Sequence, residues 1–326
     1  DQQIDPLAGP ESVFGIGCDS LLSPASVAGA LATPVSAIDA GVADMNSSLR
    51  ISRTFAVESL GGLACEWNNG QPNDLYPGGT NPAYIGVQVL VLPNAGSQWA
   101  RFEAYYSGSG AVGMSCATHL TPTYCELNQL VGTSWVQATI SGASEATAAA
   151  LGAEAVAAVS AAGPGAAPWA PPAGTLALPA TCEGLVATAT VQSALGVSTT
   201  LVASTDGGGW SLWAGARENW GGPRCNWLYE FSDSGVGFLA SLPGGAWAWN
   251  EVRSAITFPT APTSAAVAGL APGDEAWVRC VASDGSCVVD LVIGGNWIEV
   301  RMWSDVADPR GGALAVAAAI VATLTP

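Results

Sequence analysis

Eight cysteines, at positions 18, 65, 116, 125, 182, 225, 280 and 287, are the side chains of this 326-residue sequence with the plainest chemistry. Thiols in such numbers either hold metal or pair with one another. Structural zinc favours CxxC knuckles with histidine partners. This chain has no CxxC and one histidine, His119, so no metal is expected. The alternative is disulfides, and their order suggests which. Four cysteines fall in each half, and a pairing that has to work twice is Cys18–Cys65, Cys116–Cys125, Cys182–Cys225 and Cys280–Cys287. Disulfides at this density belong outside the cytoplasm, in the cell envelope or beyond it.

No other constellation reads as a catalytic centre. His119 sits between Cys116 and Cys125 in an irregular ATHLTPTY stretch, with no G-x-S-x-G turn that would make it a triad base. Neither a P-loop nor a G-x-G-x-x-G fingerprint follows a strand, and no cofactor is expected. The 26 acidic residues are spread thinly, and no spacing selects two of them as a glycosidase pair. Asp206, Asp233, Asp284, Asp305 and Asp308 lie near glycines but never in the D-x-D-x-D-G order of a calcium loop. On this reading the protein is not an enzyme, and an enzyme of unfamiliar type is the least favoured alternative.

Binding is better supported, by tryptophan. Of 13 in the chain, Trp210, Trp213 and Trp220 crowd one glycine-rich run of the second half. In NWIEVRMW, Ile298, Val300 and Met302 alternate with Trp297, Glu299, Arg301 and Trp303. On a strand this places the four in one row, two tryptophans flanking an acid and an arginine. Such a row, if exposed, can stack on a sugar ring or serve as an interface hot spot. The expected function is therefore a non-catalytic accessory protein presenting tryptophan-rich surfaces to an envelope protein or glycan. The alternative is a structural subunit in which those surfaces join copies into an oligomer.

Charge narrows the partners. A formal net charge of −17, with nine Arg and no Lys, repels phosphate backbones and anionic lipid, so nucleic acid is excluded. The most apolar stretch, 312–324, is shorter than the roughly 20 residues of a membrane span. The opening DQQIDPLAGPE, residues 1–11, reads as a tether, which leaves room for a membrane attachment through the N-terminus.

The elements that would position these residues recur. CDSLLSPASVAGAL from Cys18 answers CEGLVATATVQSAL from Cys182; Cys65-Glu66-Trp67 answers Cys225-Asn226-Trp227; Trp99 and Trp249 each follow a strand-closing proline by six residues. Cys125 and Cys287 each precede a tryptophan, Trp135 and Trp297, by ten. The spacing predicts a helix after Ser23-Pro24, strands at 63–67, 84–92, 125–131 and 135–140, and helices at 97–106 and 144–161. The same order follows in the second half, ending in a helix over 308–322. The organisation expected is a first domain at 12–163, a Pro/Gly/Ala linker at 164–177 and a second domain at 178–326. Each would be an α+β unit, an antiparallel sheet covered by helices on one side.

The opening C-[DE]-x-L helix, the Cys-x-Trp strand and the terminal Ala-rich helix resemble secreted and lipoprotein domains of unknown function in actinobacteria. The resemblance implies an α/β/α, PsbP-like fold in tandem duplication, and it brings no catalytic residues.

Overall fold

The computed structural model describes residues 9–47, 51, 53–71, 73, 81–117, 122–163, 169–204, 210–232, 234–257, 260–282 and 285–325. His119, Asp206, Asp233, Asp284, residues 1–8 of the expected tether and 164–168 of the expected linker lie outside them.

The first half runs α1 (Cys18–Leu21), α2 (Pro24–Leu31), β1 (Ser36–Ile38), α3 (Ala40–Ser47), α4 (Arg53–Glu58), β2 (Leu63–Asn68), β3 (Gly86–Leu92), α5 (Gly96–Tyr105), β4 (Gly113–Ala117), β5 (Tyr124–Val131), β6 (Ser134–Ser141) and α6 (Glu145–Ala162). The second runs α7 (Cys182–Leu185), α8 (Thr188–Leu195), β7 (Leu201–Ser204), α9 (Leu212–Trp220), β8 (Arg224–Tyr229), β9 (Gly235–Leu242), α10 (Ala246–Val252), β10 (Thr263–Ser264), β11 (Glu275–Cys280), β12 (Cys287–Ile293), β13 (Asn296–Met302) and α11 (Pro309–Leu324). The protein is thus mixed α+β with two antiparallel sheets. Their strand orders are β1-β2-β3-β6-β5-β4 and β10-β11-β12-β13-β9-β8-β7. Read from the β1 and β7 edges, the two orders coincide, β10 being an extra edge strand of the second sheet.

Local chemistry explains the helix starts. Ser23 accepts a hydrogen bond from the Ser26 amide with Pro24 at the first helical position, Ser144 caps α6 through the Thr147 amide, and Asp308 caps α11 through Gly311. Within the tryptophan run of the second half, Leu212–Trp220 form helix α9, capped by Ser211. Four bridges form as the doubled spacing predicts: Cys18–Cys65, Cys116–Cys125, Cys182–Cys225 and Cys280–Cys287. The two short ones join residues directly opposite each other on neighbouring strands.

One face of each sheet is covered by the helices of its own half. Leu21, Val27, Leu31, Leu151 and Val159 pack on Cys65, Val89 and Ile140; Leu185, Val191, Val316 and Ile320 pack on Cys225, Leu239 and Val300. The expectation of helices on one side only needs correcting, because the opposite faces are also covered, the first sheet's by α3, α4 and α5 and the second's by α10, and the two halves meet where these helices pack together. Met45, Ile51 and Phe55 share a cluster with Trp247, Trp249 and Trp297, while Trp99, Phe102 and Trp135 share another with Leu212 and Ala216. Gln98 donates to Asn219 at 2.7 Å and Arg101 pairs with Glu218 at 2.9 Å across the same seam. Apolar side chains that each half leaves on its second sheet face are what drive this docking.

One acid in the seam is poorly placed. Burial, with the charges of Asp39 and Glu251 nearby, holds the Glu58 carboxyl well above the usual carboxylate range. The sign follows from linkage: a carboxyl whose folded pKa is raised stabilises the fold least once it must ionise. Its penalty is absent below about pH 4.5, where folded and unfolded chains are both protonated, and grows as pH rises above that. Glu58→Gln is expected to raise the melting temperature at pH 8 and leave it nearly unchanged at pH 4.5. A melting series showing equal shifts at both pH values would contradict this.

Candidate functional site: the polar face of the first sheet

The residues singled out by the tryptophan pattern do not make an open surface. Trp297, Glu299, Arg301 and Trp303 share one sheet face, as their spacing predicts, but Trp297 and Glu299 are 0% exposed and the other two half-buried. Phe55 of the first half and Trp249 cover Trp297, with ring centroids at 5.9 and 5.3 Å. Beneath them lies a closed charge cluster. Arg279 Nε donates to Asp290 Oδ2 at 3.0 Å, Trp297 Nε1 donates to Asp290 Oδ1 at 3.0 Å, and Arg279 Nη2 lies 3.7 Å from Glu299. Trp213 is held between the guanidinium groups of Arg217 and Arg224, at 5.0 and 4.4 Å. Trp210 lies under Arg101 of the first half at 4.9 Å, and Trp220 packs against both seam clusters. Trp297 and Glu299 are thus interior, while Trp210, Trp213 and Trp220 are half-buried and packed on arginines or on the seam. The alternation of Glu and Arg resembled a solvated face because sequence does not show that Glu299 meets Arg279 inside the fold.

The corresponding stretch of the first sheet is different. Register places Ser115, Glu126, Thr139, Gln88 and Glu66 directly opposite one another across five strands, about 19 Å from end to end at the usual strand spacing. The matching row of the second sheet is Arg279, Val288, Arg301, Phe238 and Asn226. One frame therefore carries two chemistries. In both, a tryptophan indole donates to a short polar side chain seven residues before it: Trp135 Nε1 to Asn128 Oδ1 at 3.1 Å, and Trp297 Nε1 to Asp290. Where the second half places Asp290, Glu299 and Arg301, the first has the neutral Asn128, Gln137 and Thr139.

Two carboxylates anchor the first-sheet row. Glu66 accepts hydrogen bonds from Asn68 at 2.8 Å, Tyr84 at 3.1 Å and Gln88 at 3.1 Å. Glu126 accepts from Asn128 at 2.6 Å, Gln137 at 3.3 Å and Tyr124 at 3.2 Å. Their donors orient both groups. Burial first, then the charge of Asp44, pushes Glu66 up to about 7, against the opposing effect of its three hydrogen bonds. Burial and the charge of Glu66 raise Tyr84, and burial and the charge of Glu126 raise Tyr124, so both phenols stay protonated donors. Asp44 and Arg53, paired at 3.7 Å, bring the α3–α4 end of the seam over this face.

No protein-family model, curated protein or solved structure matches this chain. Glu66, Asn68, Tyr84 and Asn128 are buried, while Gln88, Tyr124, Glu126, Gln137 and Thr139 are half-buried. The Thr139 hydroxyl, mid-row between Gln88 and Glu126, has no hydrogen-bond partner among the described residues. A floor of fixed donors and acceptors with a part-open centre suits a ligand rich in hydroxyl groups. Among the described residues no group of acids, histidines or cysteines is placed to hold a metal ion.

Sequence reasoning missed this site because its members come from four strands, at positions 66, 88, 126, 137 and 139, with no shared spacing. The available signal was strand alternation. Gln88 interrupts the apolar VQVLVL of β3, and Glu126 and Asn128 alternate with Cys125 and Leu127 in β5.

Proposed function

We propose that this protein is a non-catalytic, exported binding protein of the cell envelope, and that its ligand is a glycan held on the polar face of the first sheet. The observation that carries the reading is the half-buried row Gln88–Thr139–Glu126 with Gln137, on a sheet face otherwise occupied by apolar packing. Sugars are recognised by planar amides and carboxylates that exchange several hydrogen bonds at once, and this row supplies both. A net charge of −17 argues against phosphate-bearing ligands. Four disulfides fit an extracytoplasmic location, and no described helix is long and apolar enough to cross a membrane.

The halves are read as tandem copies of one domain. The coincident strand orders, four bridges at matching ranks and the repeated indole bonds of Trp135 and Trp297 support a duplication whose copies diverged. In the second copy the row became a closed ion-paired core, so binding falls to the first. This reverses the assignment suggested by the distribution of tryptophans. The PsbP-like description rests on the sequence pattern alone.

The test is calorimetric titration with soluble envelope oligosaccharides. Wild type should bind, and Thr139→Trp, which fills the centre of the row from a half-open position, should reduce affinity at least tenfold with little change in melting temperature. Equal binding by both proteins would refute the site. Absence of binding to any envelope saccharide would refute the ligand class.

A further inference from the structure

The Glu66 end of the polar row holds a carboxyl whose two oxygens are used unequally. Glu66 is 4% exposed. Its Oε1 accepts from Asn68 Nδ2 at 2.8 Å and from Tyr84 Oη at 3.1 Å, whereas among the described residues Oε2 accepts from Gln88 Nε2 alone, at 3.1 Å. The donors also differ in freedom. Asn68 is locked, because its own side-chain carbonyl accepts from the Gly70 amide at 2.8 Å. Gln88 is not. It is half-buried between Glu66 and Thr139 in the row, and its side-chain carbonyl has no partner among the described residues.

A carboxylate only accepts hydrogen bonds, and a carboxylic acid must also donate one. A proton reaching Glu66 meets two donors at Oε1, one of them locked, and a single reversible donor at Oε2. It therefore settles on Oε2. With Gln88 unturned, the new O–H would face the Gln88 N–H, and two buried donors would lack an acceptor. Turning the Gln88 amide over by half a turn removes the conflict, because its carbonyl then accepts from Glu66 and its NH2 group takes the place the carbonyl held.

We propose, building on the glycan reading of this face, that Glu66 is the positioning residue of the row: ionised, it makes Gln88 present a carbonyl acceptor to the ligand, and protonated, it makes Gln88 present an N–H donor. Ether and carbonyl oxygens of a sugar accept without donating, so they fit the protonated site. Hydroxyl groups do both and fit either. Burial and the charge of Asp44 bring the exchange to about pH 7. Of the elements packed on β2, α3 contributes Asp44, paired with Arg53 of α4 at 3.7 Å, while Glu58 of α4 faces Asp39 and Glu251 instead. On the opposite sheet face α1 contributes the exposed Asp19, and neither β1 nor β3 carries an ionisable side chain.

The experiment follows side-chain amide protons of the full chain by NMR at about pH 6 and about pH 8, one unit either side of the Glu66 value. One Gln88 proton should be protected from exchange at the higher pH and lose that protection at the lower, the reverse of a free amide, whose exchange speeds up with pH. The Asn68 amide should stay protected at both. In Glu66→Gln the Gln88 exchange should lose this reversal. Calorimetry with an O-methylated oligosaccharide, which accepts but does not donate through its ethers, should show roughly tenfold tighter binding at the lower pH, the worth of one buried hydrogen bond. Both Glu66→Gln and Gln88→Met, checked for folding by their melting curves, should abolish that difference. Gln88 protection equal at both pH values, a reversal that survives in Glu66→Gln, or equal affinity for the methylated ligand at both pH values would overturn the proposal. Absence of binding by every saccharide would instead sink the glycan reading, and the Gln88 exchange would still decide whether Glu66 turns the amide.

Discussion

Asp290→Ala is expected to cost about 3–5 kcal/mol of folding stability, the range found when one partner of a buried ion pair is removed. Asp290 is 0% exposed and accepts from both Arg279 and the Trp297 indole. Without it the Arg279 guanidinium keeps only the longer contact to Glu299, and the indole N–H is buried without its partner. Asp290→Asn should cost distinctly less, because Asn128 shows that an amide can accept the equivalent indole bond in the first sheet. Urea unfolding of the two variants checks the order. Equal stability of Asp290→Ala and wild type would mean that the charge cluster is exposed to solvent.

The second large effect concerns the bridges. Cys18–Cys65 and Cys182–Cys225 tie residues 47 and 43 apart, and loops of that size are worth about 4 kcal/mol in the chain-entropy account. Cys116–Cys125 and Cys280–Cys287 close separations of only 9 and 7, for which the same account gives about 2.5 kcal/mol. The paired variant Cys18→Ala with Cys65→Ala should therefore lose more stability than Cys116→Ala with Cys125→Ala. Denaturant midpoints measured under oxidising conditions decide it, and the reverse order would contradict the entropic origin of the difference. All eight cysteines are paired, so no thiol of the native protein should react with a thiol reagent.

What the sequence disclosed followed from local chemistry. Ser23-Pro24, Ser144 and Asp308 mark helix starts by capping, branched residues mark β3, and the doubled cysteine ranks specify four bridges. Other elements carried no such mark. Helix α3, AGVADMNS, has no clear apolar stripe, and α9 is disguised by its glycines and tryptophans. The site was hidden for a different reason. Alternation along β13 separates two faces correctly but cannot say what lies against either. Phe55, which lies 242 residues before Trp297 in the chain (297 − 55), helps to make Trp297 interior. Nor can composition show that Glu66 and Glu126, spaced by 60 positions (126 − 66), share one row, because that depends on the order β2-β3-β6-β5.

The central claim is that, of two sheets with coincident strand orders, the first keeps an open hydrogen-bonding row while the second has closed its own around an ion-paired arginine. Amide chemical-shift mapping of the intact protein during titration with an envelope oligosaccharide tests it most directly. The account predicts saturable shifts centred on Glu66, Gln88, Glu126, Gln137 and Thr139, with Asn226, Arg279, Glu299 and Arg301 unmoved. Shifts centred on the second set, with the first set silent, would contradict it.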